Sequence, residues 1–190
     1  MRVGIGYDVH RFNGPARGAR LPRHRRRGGQ AGKRPLKLGG VTVPFARGLA
    51  GHSDADVLLH AVADALLGAV GAADIGEHFP SSDPRYRNAD SRQFVQEAYA
   101  TVVRKGWAVG NVDATVIADA PKLTSYKLPM RRAIAQLLKI PMGQVSVKAK
   151  TTEGFAPGGD GIAAHAVVLL KPVVPGSGLR VRGKQAKKRR

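Results

Sequence analysis

Apolar residues are unevenly spaced along this chain, and the spacing changes character from one stretch to the next. The densest run, Val57-Leu58-Leu59-His60-Ala61-Val62-Ala63-Asp64-Ala65-Leu66-Leu67, is apolar almost all round, which predicts a buried helix. Ser53 stands at its expected start, its hydroxyl capping free amides while Asp56 reaches back as in a capping box. Ala89 to Lys105 reads as a second helix closed by Gly106, and Leu128 to Lys139 as a third, with Pro129 tolerated in its first turn. Shorter stretches read as strands: Arg2 to Ile5, ending at a loop with Asp8 and His10; Leu36 to Val41; Val41 to Val43; Trp107 to Ala118; Val145 to Thr151. A last strand, Ile162 to Lys171, takes His165 as a packed residue. Strands alternating with helices predict an α/β fold, an α+β sandwich with a single mixed β-sheet and helices packed against it.

The polar exceptions inside this pattern carry the chemistry. His60 interrupts the apolar helix, and Asp8-x-His10 follows the first strand. Two imidazoles and one carboxylate give zinc three protein ligands and leave a fourth, open position, as catalytic sites require. The chain has no cysteine, so the common structural zinc modules are excluded. Either segment alone also fits an ordinary reading, a turn with a solvated histidine or a packed core histidine. Asp64 lies four residues after His60 on the same helix face. It either orients the His60 ring or satisfies a backbone group or a substrate hydroxyl.

Composition narrows the picture. At 190 residues one domain is expected. The net charge of +19 suggests a nucleic-acid binder at first sight. Residues 13–34 hold eight Lys or Arg and residues 172–190 hold seven, with no acid in either. Removing those fifteen charges leaves +4 on the rest. The basicity therefore sits in two segments expected to stay mobile, an insertion at 13–34 and a tail at 172–190, able to make weak polyanion contact. No apolar leader follows Arg2 and no stretch is long enough to span a bilayer, so no membrane insertion is expected. With no cysteine the chain suits a reducing cytoplasm.

Several motifs then fall into one order. Gly4-Ile5-Gly6-Tyr7-Asp8-Val9-His10-Arg11-Phe12, Gly51-His52-Ser53-Asp54-Ala55-Asp56, Asp74-Ile75-Gly76, Phe79-Pro80, Asp83-Pro84, Ala120-Pro121-Lys122 and Lys148-Ala149-Lys150-Thr151-Thr152-Glu153 are colinear from Met1 to about Lys171. In this the chain resembles the 2-C-methyl-D-erythritol 2,4-cyclodiphosphate synthases of non-mevalonate isoprenoid synthesis. The resemblance implies a synthase domain over 1–171 and a homotrimer with active sites between subunits. It implies a phosphorus–oxygen lyase acting on 4-diphosphocytidyl-2-C-methyl-D-erythritol 2-phosphate. In that reaction the 2-phosphate would attack the β-phosphorus, close a cyclic diphosphate and expel CMP.

Residue roles follow from the same resemblance. Asp8, His10 and His60 would hold one zinc per subunit, and Glu153 a magnesium or manganese ion. His52 and Thr151 would stabilise the transition state. Asp8, Val9 and His10 would contact substrate, as would His52 and Ser53 ahead of the helix, whose N-terminal amides would face a phosphate. Asp74, Ile75 and Gly76, with Phe79, Pro80, Ser81, Ser82 and Asp83, would hold the methylerythritol hydroxyls. Ala118, Asp119, Ala120, Pro121, Lys122, Leu123 and Thr124 would form the cytidine pocket. Lys150, Thr151, Thr152, Glu153 and Phe155 would line the diphosphate. Ser81 stands where the family often has Asp, a departure that touches one substrate contact, and Gly158 stands where an Arg is common, which puts an ancillary isoprenoid diphosphate site in doubt. Two other readings compete. A zinc phosphohydrolase would release free phosphate, and an RNA- or membrane-surface-binding protein would leave the ligand set unexplained.

Overall fold

The computed structural model describes residues 1–14, 34–154 and 160–173. Phe155, Gly158 and nearly all of both basic segments lie outside these described residues. Strand β1 (Arg2–Arg11) is much longer than its apolar pattern suggested, because it pairs along its whole length with β6 (Gly161–Pro172). Asp8 and His10 therefore sit on a strand and not in a loop. β6 also pairs antiparallel with β4 (Trp107–Ile117), which runs parallel to β5 (Val145–Lys150). The resulting mixed sheet has the order β1-β6-β4-β5.

The sheet is not the only one. β2 (Leu36–Leu38) and β3 (Val41–Val43) form a separate two-stranded hairpin, turned by Gly39 and Gly40 at φ +60° and +76°. Two successive positive φ values suit a tight hairpin turn and are free of steric cost only for glycine.

One face of the large sheet carries helix α1 (Val57–Ala69), buried along most of its length as its composition requires. The contact with β1 is unusually close. A Cβ on Gly4 would lie 2.0 Å from the Ala65 carbonyl oxygen, and one on Gly6 would lie 2.0 Å from that of Ala61. Glycine on the strand and alanine at 61, 65 and 69 on the helix let the two backbones approach. The four-residue α2 (Ile75–His78) follows, then α3 (Arg92–Arg104) against α1 and α4 (Lys127–Leu138) against β5. The core is filled from Leu36, Leu58, Leu66, Met130, Ile134, Ile162 and Leu170, among others.

The opposite sheet face is bare in the single chain. Val3, Ile5, Tyr7, Val9 and Val167 are all exposed on it. His165, expected to be packed, is exposed there too, its ring 4.6 Å from that of Tyr7. Its even-numbered neighbours Ala164 and Ala166 point into the core, so strand alternation turns it outward. Among the described residues no helix is long and apolar enough to cross a membrane.

Candidate metal centre and substrate pocket

Asp8 and His10 are two residues apart on β1 and share a face, the one on which Gly4 and Gly6 meet α1. His60 lies one turn into α1. The glycine contact thus brings the three side chains together. Asp8 Oδ2 is 2.8 Å from His60 Nδ1 and 3.0 Å from His10 Nε2, and the two imidazole nitrogens are 3.2 Å apart. Zinc bonds of 2.0–2.1 Å at tetrahedral angles set ligand atoms about 3.3 Å apart, so the donor triangle needs only slight opening to fit the metal. Burial works to raise the pKa of the Asp8 carboxyl, but the hydrogen bonds and charge of both imidazoles outweigh it. The group is held well below the usual carboxylate range and stays an anion, as a ligand must.

A cavity of about 210 Å³ opens beside the triangle, lined by His10, His52, Ser53, His60, Ile75, Phe79, Ser81, Tyr86 and Phe94. Its apolar side is an aromatic group. Phe79 stacks on Phe94 at 4.5 Å between centroids, Tyr86 meets Phe79 edge-on at 5.4 Å, and Phe94 lies 5.9 Å from the His60 ring. His52 is half-buried, with Nε2 3.3 Å from the backbone oxygen of Asp83. The Asp83 carboxylate accepts instead from the Arg85 amide and guanidinium, and Asp74 caps α2 by accepting from the Glu77 amide.

A second polar cluster stands at the carboxyl ends of the parallel strands β4 and β5, the usual place for ligands beside such strands. Asp119 accepts from both the amide and the hydroxyl of Thr152 at 2.7 Å, and the Thr151 hydroxyl donates to Glu153. Glu153 has φ +53°, a conformation that strains a residue with a side chain. Asp8 pairs with Ala164, which pairs with Val116, which pairs with Ala149. Three strand spacings, about 14 Å, therefore separate the metal-ligand strand from β5. The cavity takes no residue from the second cluster.

Residues 1–171 match the family model described as the YgbB family. A 2-C-methyl-D-erythritol 2,4-cyclodiphosphate synthase of Geotalea uraniireducens is 49% identical over 173 residues, covering 90% of this chain and 99% of that one. The synthase of Moorella thermoacetica is 50% identical over 181 residues, covering 94% and 100%. A solved synthase structure in its CDP-bound form superposes with a TM-score of 0.75 at 34% identity, covering 90% of this chain and all of that one. The chain belongs to the YgbB family of 2-C-methyl-D-erythritol 2,4-cyclodiphosphate synthases. It is an enzyme, and its reaction is the cyclodiphosphate-forming step of isoprenoid synthesis.

Within this synthase fold, several sequence expectations need correction. α1 begins at Val57, not Ser53, and its cap is Asp56, whose carboxylate accepts from the Leu59 amide at 3.1 Å. That carboxylate is fully buried and also accepts from Gly39 and Gly40 at 2.8 and 2.7 Å. Of the first-turn amides expected to face a phosphate, that of Leu59 is taken by this buried carboxylate. The Ser53 hydroxyl turns inward, accepting from Ala55 and lying 3.1 Å from His60 Nε2.

Asp64 does not reach the His60 ring, because its Oδ1 accepts from the Ile75 amide at 2.9 Å. Ser91 touches His60 instead, at 2.8 Å from Nε2. Sequence reasoning missed Ser91, Asp54, Tyr86 and Phe94. Ser91 falls inside the helix expected from Ala89, which in the structure begins only at Arg92, so its position gives no signal of this contact.

Proposed function

We propose that this synthase binds 4-diphosphocytidyl-2-C-methyl-D-erythritol 2-phosphate and acts as a phosphorus–oxygen lyase, closing the ring by attack of the 2-phosphate on the β-phosphorus. The new P–O bond forms as the bond to the α-phosphate breaks, and CMP leaves with the bridging oxygen. The observation that carries this reading is the Asp8–His10–His60 triangle beside a cavity with an adjacent imidazole. Zinc bound there would act as a Lewis acid on phosphate oxygen. No strong base is required, since the obstacle is the approach of two anionic phosphates. His52, free of any carboxylate partner among the described residues, is available to donate to developing negative charge. Ile75, Phe79 and Ser81 line the space for the methylerythritol arm.

Thr151 and Glu153 complete the chemistry in this reading, Thr151 as a donor to the diphosphate and Glu153 as a ligand of magnesium or manganese. The segment 118–124 would hold cytidine. A cavity of about 210 Å³ is smaller than the ~300–1,000 Å³ usual for a ligand of this size, and the second cluster stands about 14 Å across the sheet. Both facts support an active site shared between subunits. The bare face of Val3, Ile5, Tyr7, Val9 and Val167 supports self-association into the homotrimer. Residues 1–171 would form the synthase domain, with the basic segments appended, and a cysteine-free chain suits the cytoplasm. The test is incubation with substrate and magnesium, followed by ³¹P NMR. Cyclic diphosphate plus CMP is expected. Release of inorganic phosphate instead would mean hydrolysis and overturn the reading.

A further inference from the structure

We infer that Ser91 and Asp54 form a relay behind the metal centre, with Ser91 as the positioning residue for His60. This rests on the zinc reading above and goes beyond its ligand set. The helix α3 starts at Arg92, which makes Ser91 its cap residue, yet the hydroxyl makes no capping bond to the helix. Serine at this position ordinarily gives its oxygen to an amide of the first turn. Here the neighbouring Asp90 accepts from the Arg92 amide, and the Ser91 hydroxyl is used elsewhere. It is fully buried, 2.8 Å from His60 Nε2, and donates to Asp54 Oδ1 at 2.5 Å.

The proton count then follows from valence. The Asp54 carboxylate only accepts, so the hydroxyl proton of Ser91 goes to it. Ser91 is left to accept, and His60 Nε2 must carry the hydrogen. That choice leaves the Nδ1 lone pair free, and Nδ1 is the atom facing Asp8 and His10. The relay thus selects the tautomer that can ligate and fixes the ring with Nδ1 toward Asp8 and His10.

Asp54 is itself fixed. It accepts from the Ser91 amide at 3.2 Å, and Lys37 Nζ lies 3.8 Å from its other oxygen. Backbone bonds from Asp54 to Ala89 and from Asn88 to His52 tie the two loops together. Ser53 Oγ lies 3.1 Å from His60 Nε2 and keeps a second acceptor lone pair beside the one taken by the Ala55 amide, so accepting from the same N–H favours the same tautomer. The nearer, carboxylate-backed hydroxyl is the one that sets the ring.

The experiment compares zinc affinity, by chelator competition, and the cobalt(II) absorption spectrum in wild type, Ser91→Ala, Asp54→Asn, the double variant and Ser53→Ala. Melting curves of the metal-free chains report folding separately. The expected result is a 10–100-fold weaker zinc affinity and a shifted cobalt spectrum for Ser91→Ala. Asp54→Asn should lose less, and the double variant no more than Ser91→Ala alone, because both changes break one relay. Zinc affinity and cobalt spectrum unchanged in Ser91→Ala would overturn the inference, as would losses that multiply in the double variant or a greater loss in Ser53→Ala. Should Ser91→Ala not fold, Asp54→Asn decides alone, with wild-type affinity as the refuting result. A wild-type chain that held no zinc would sink the metal reading itself, and the relay with it.

Discussion

Gly6→Ala should separate the metal-ligand strand from the helix that completes the site. A methyl group at this position would start 2.0 Å from the Ala61 carbonyl oxygen and 2.8 Å from the Ala65 amide nitrogen. Ordinary heavy-atom contacts lie at about 3.5–4.0 Å, so α1 must retreat by more than about 1 Å. Both obstacles are backbone atoms inside a helix, which cannot turn aside as a side chain can. Overpacking of a tight core costs about 1–3 kcal/mol, and a rigid obstacle puts this case near about 3 kcal/mol. For a chain of this size that lowers the melting temperature by roughly 6–12 °C.

The functional loss should exceed the stability loss, because His60 adjoins Ala61. Metal bonds tolerate deviations of only about 0.2 Å, and a 1 Å misplacement costs on the order of 100-fold in rate. Zinc affinity by chelator competition and turnover should therefore both fall steeply. Gly68→Ala on the same helix is the contrast. Its Cβ would meet nothing nearer than the Ile5 oxygen at 3.8 Å, so replacing a helical glycine should stabilise by about 0.5–1 kcal/mol. Gly6→Ala with wild-type melting and zinc affinity would refute the packing argument.

Asp56→Ala should destabilise by about 3 kcal/mol or more in denaturant titrations, since three amides lose their acceptor at about 1 kcal/mol or more each; an unchanged midpoint would show that water replaces the carboxylate. Glu153→Gln should leave zinc bound while shifting the magnesium dependence of turnover, and identical titration curves would remove Glu153 as a ligand. Deleting 172–190, or shortening 13–34 to a brief loop, should leave kcat near normal and raise KM only at low salt, where long-range attraction of an anionic substrate is unscreened. A collapse of kcat on shortening 13–34 at any salt would mean that this segment works over the metal centre.

Local pattern made some of this molecule legible and concealed the rest. α1 was visible because an all-apolar run needs no partner to declare itself. Its start was misread because Ser53 and Asp56 both suit a cap, and the choice is made by Gly39 and Gly40, seventeen and sixteen residues away. β1 was cut short because Asp8 and His10 read as loop residues, whereas the alternation of Val3, Ile5, Tyr7 and Val9 runs on through them and β6 pairs with the full strand. The candidate metal triad of Asp8, His10 and His60, which the fold brings together, was recoverable from residue chemistry and motif resemblance. Ser91 was not, since its bond to His60 spans thirty-one residues and the sequence pattern put it inside the helix expected from Ala89. The hairpin escaped the single-sheet expectation because three-residue strands leave their partner undetermined.

The two faces of β1 divide the work of the enzyme. Gly4, Gly6, Asp8 and His10 turn toward α1 and build the candidate metal triad, while Val3, Ile5, Tyr7 and Val9 turn outward. Strand alternation makes these sets mechanically inseparable but chemically independent. A polar substitution outward, such as Ile5→Lys, leaves the donor triangle untouched, because no outward side chain reaches α1. On the proposed assembly it removes the neighbour that brings Thr151 and Glu153 to the cavity. Such a chain should hold zinc yet lose turnover and sediment as a smaller species. Retained turnover in a monomer would instead require one chain to bridge about 14 Å of its own sheet, and would end the shared-site argument.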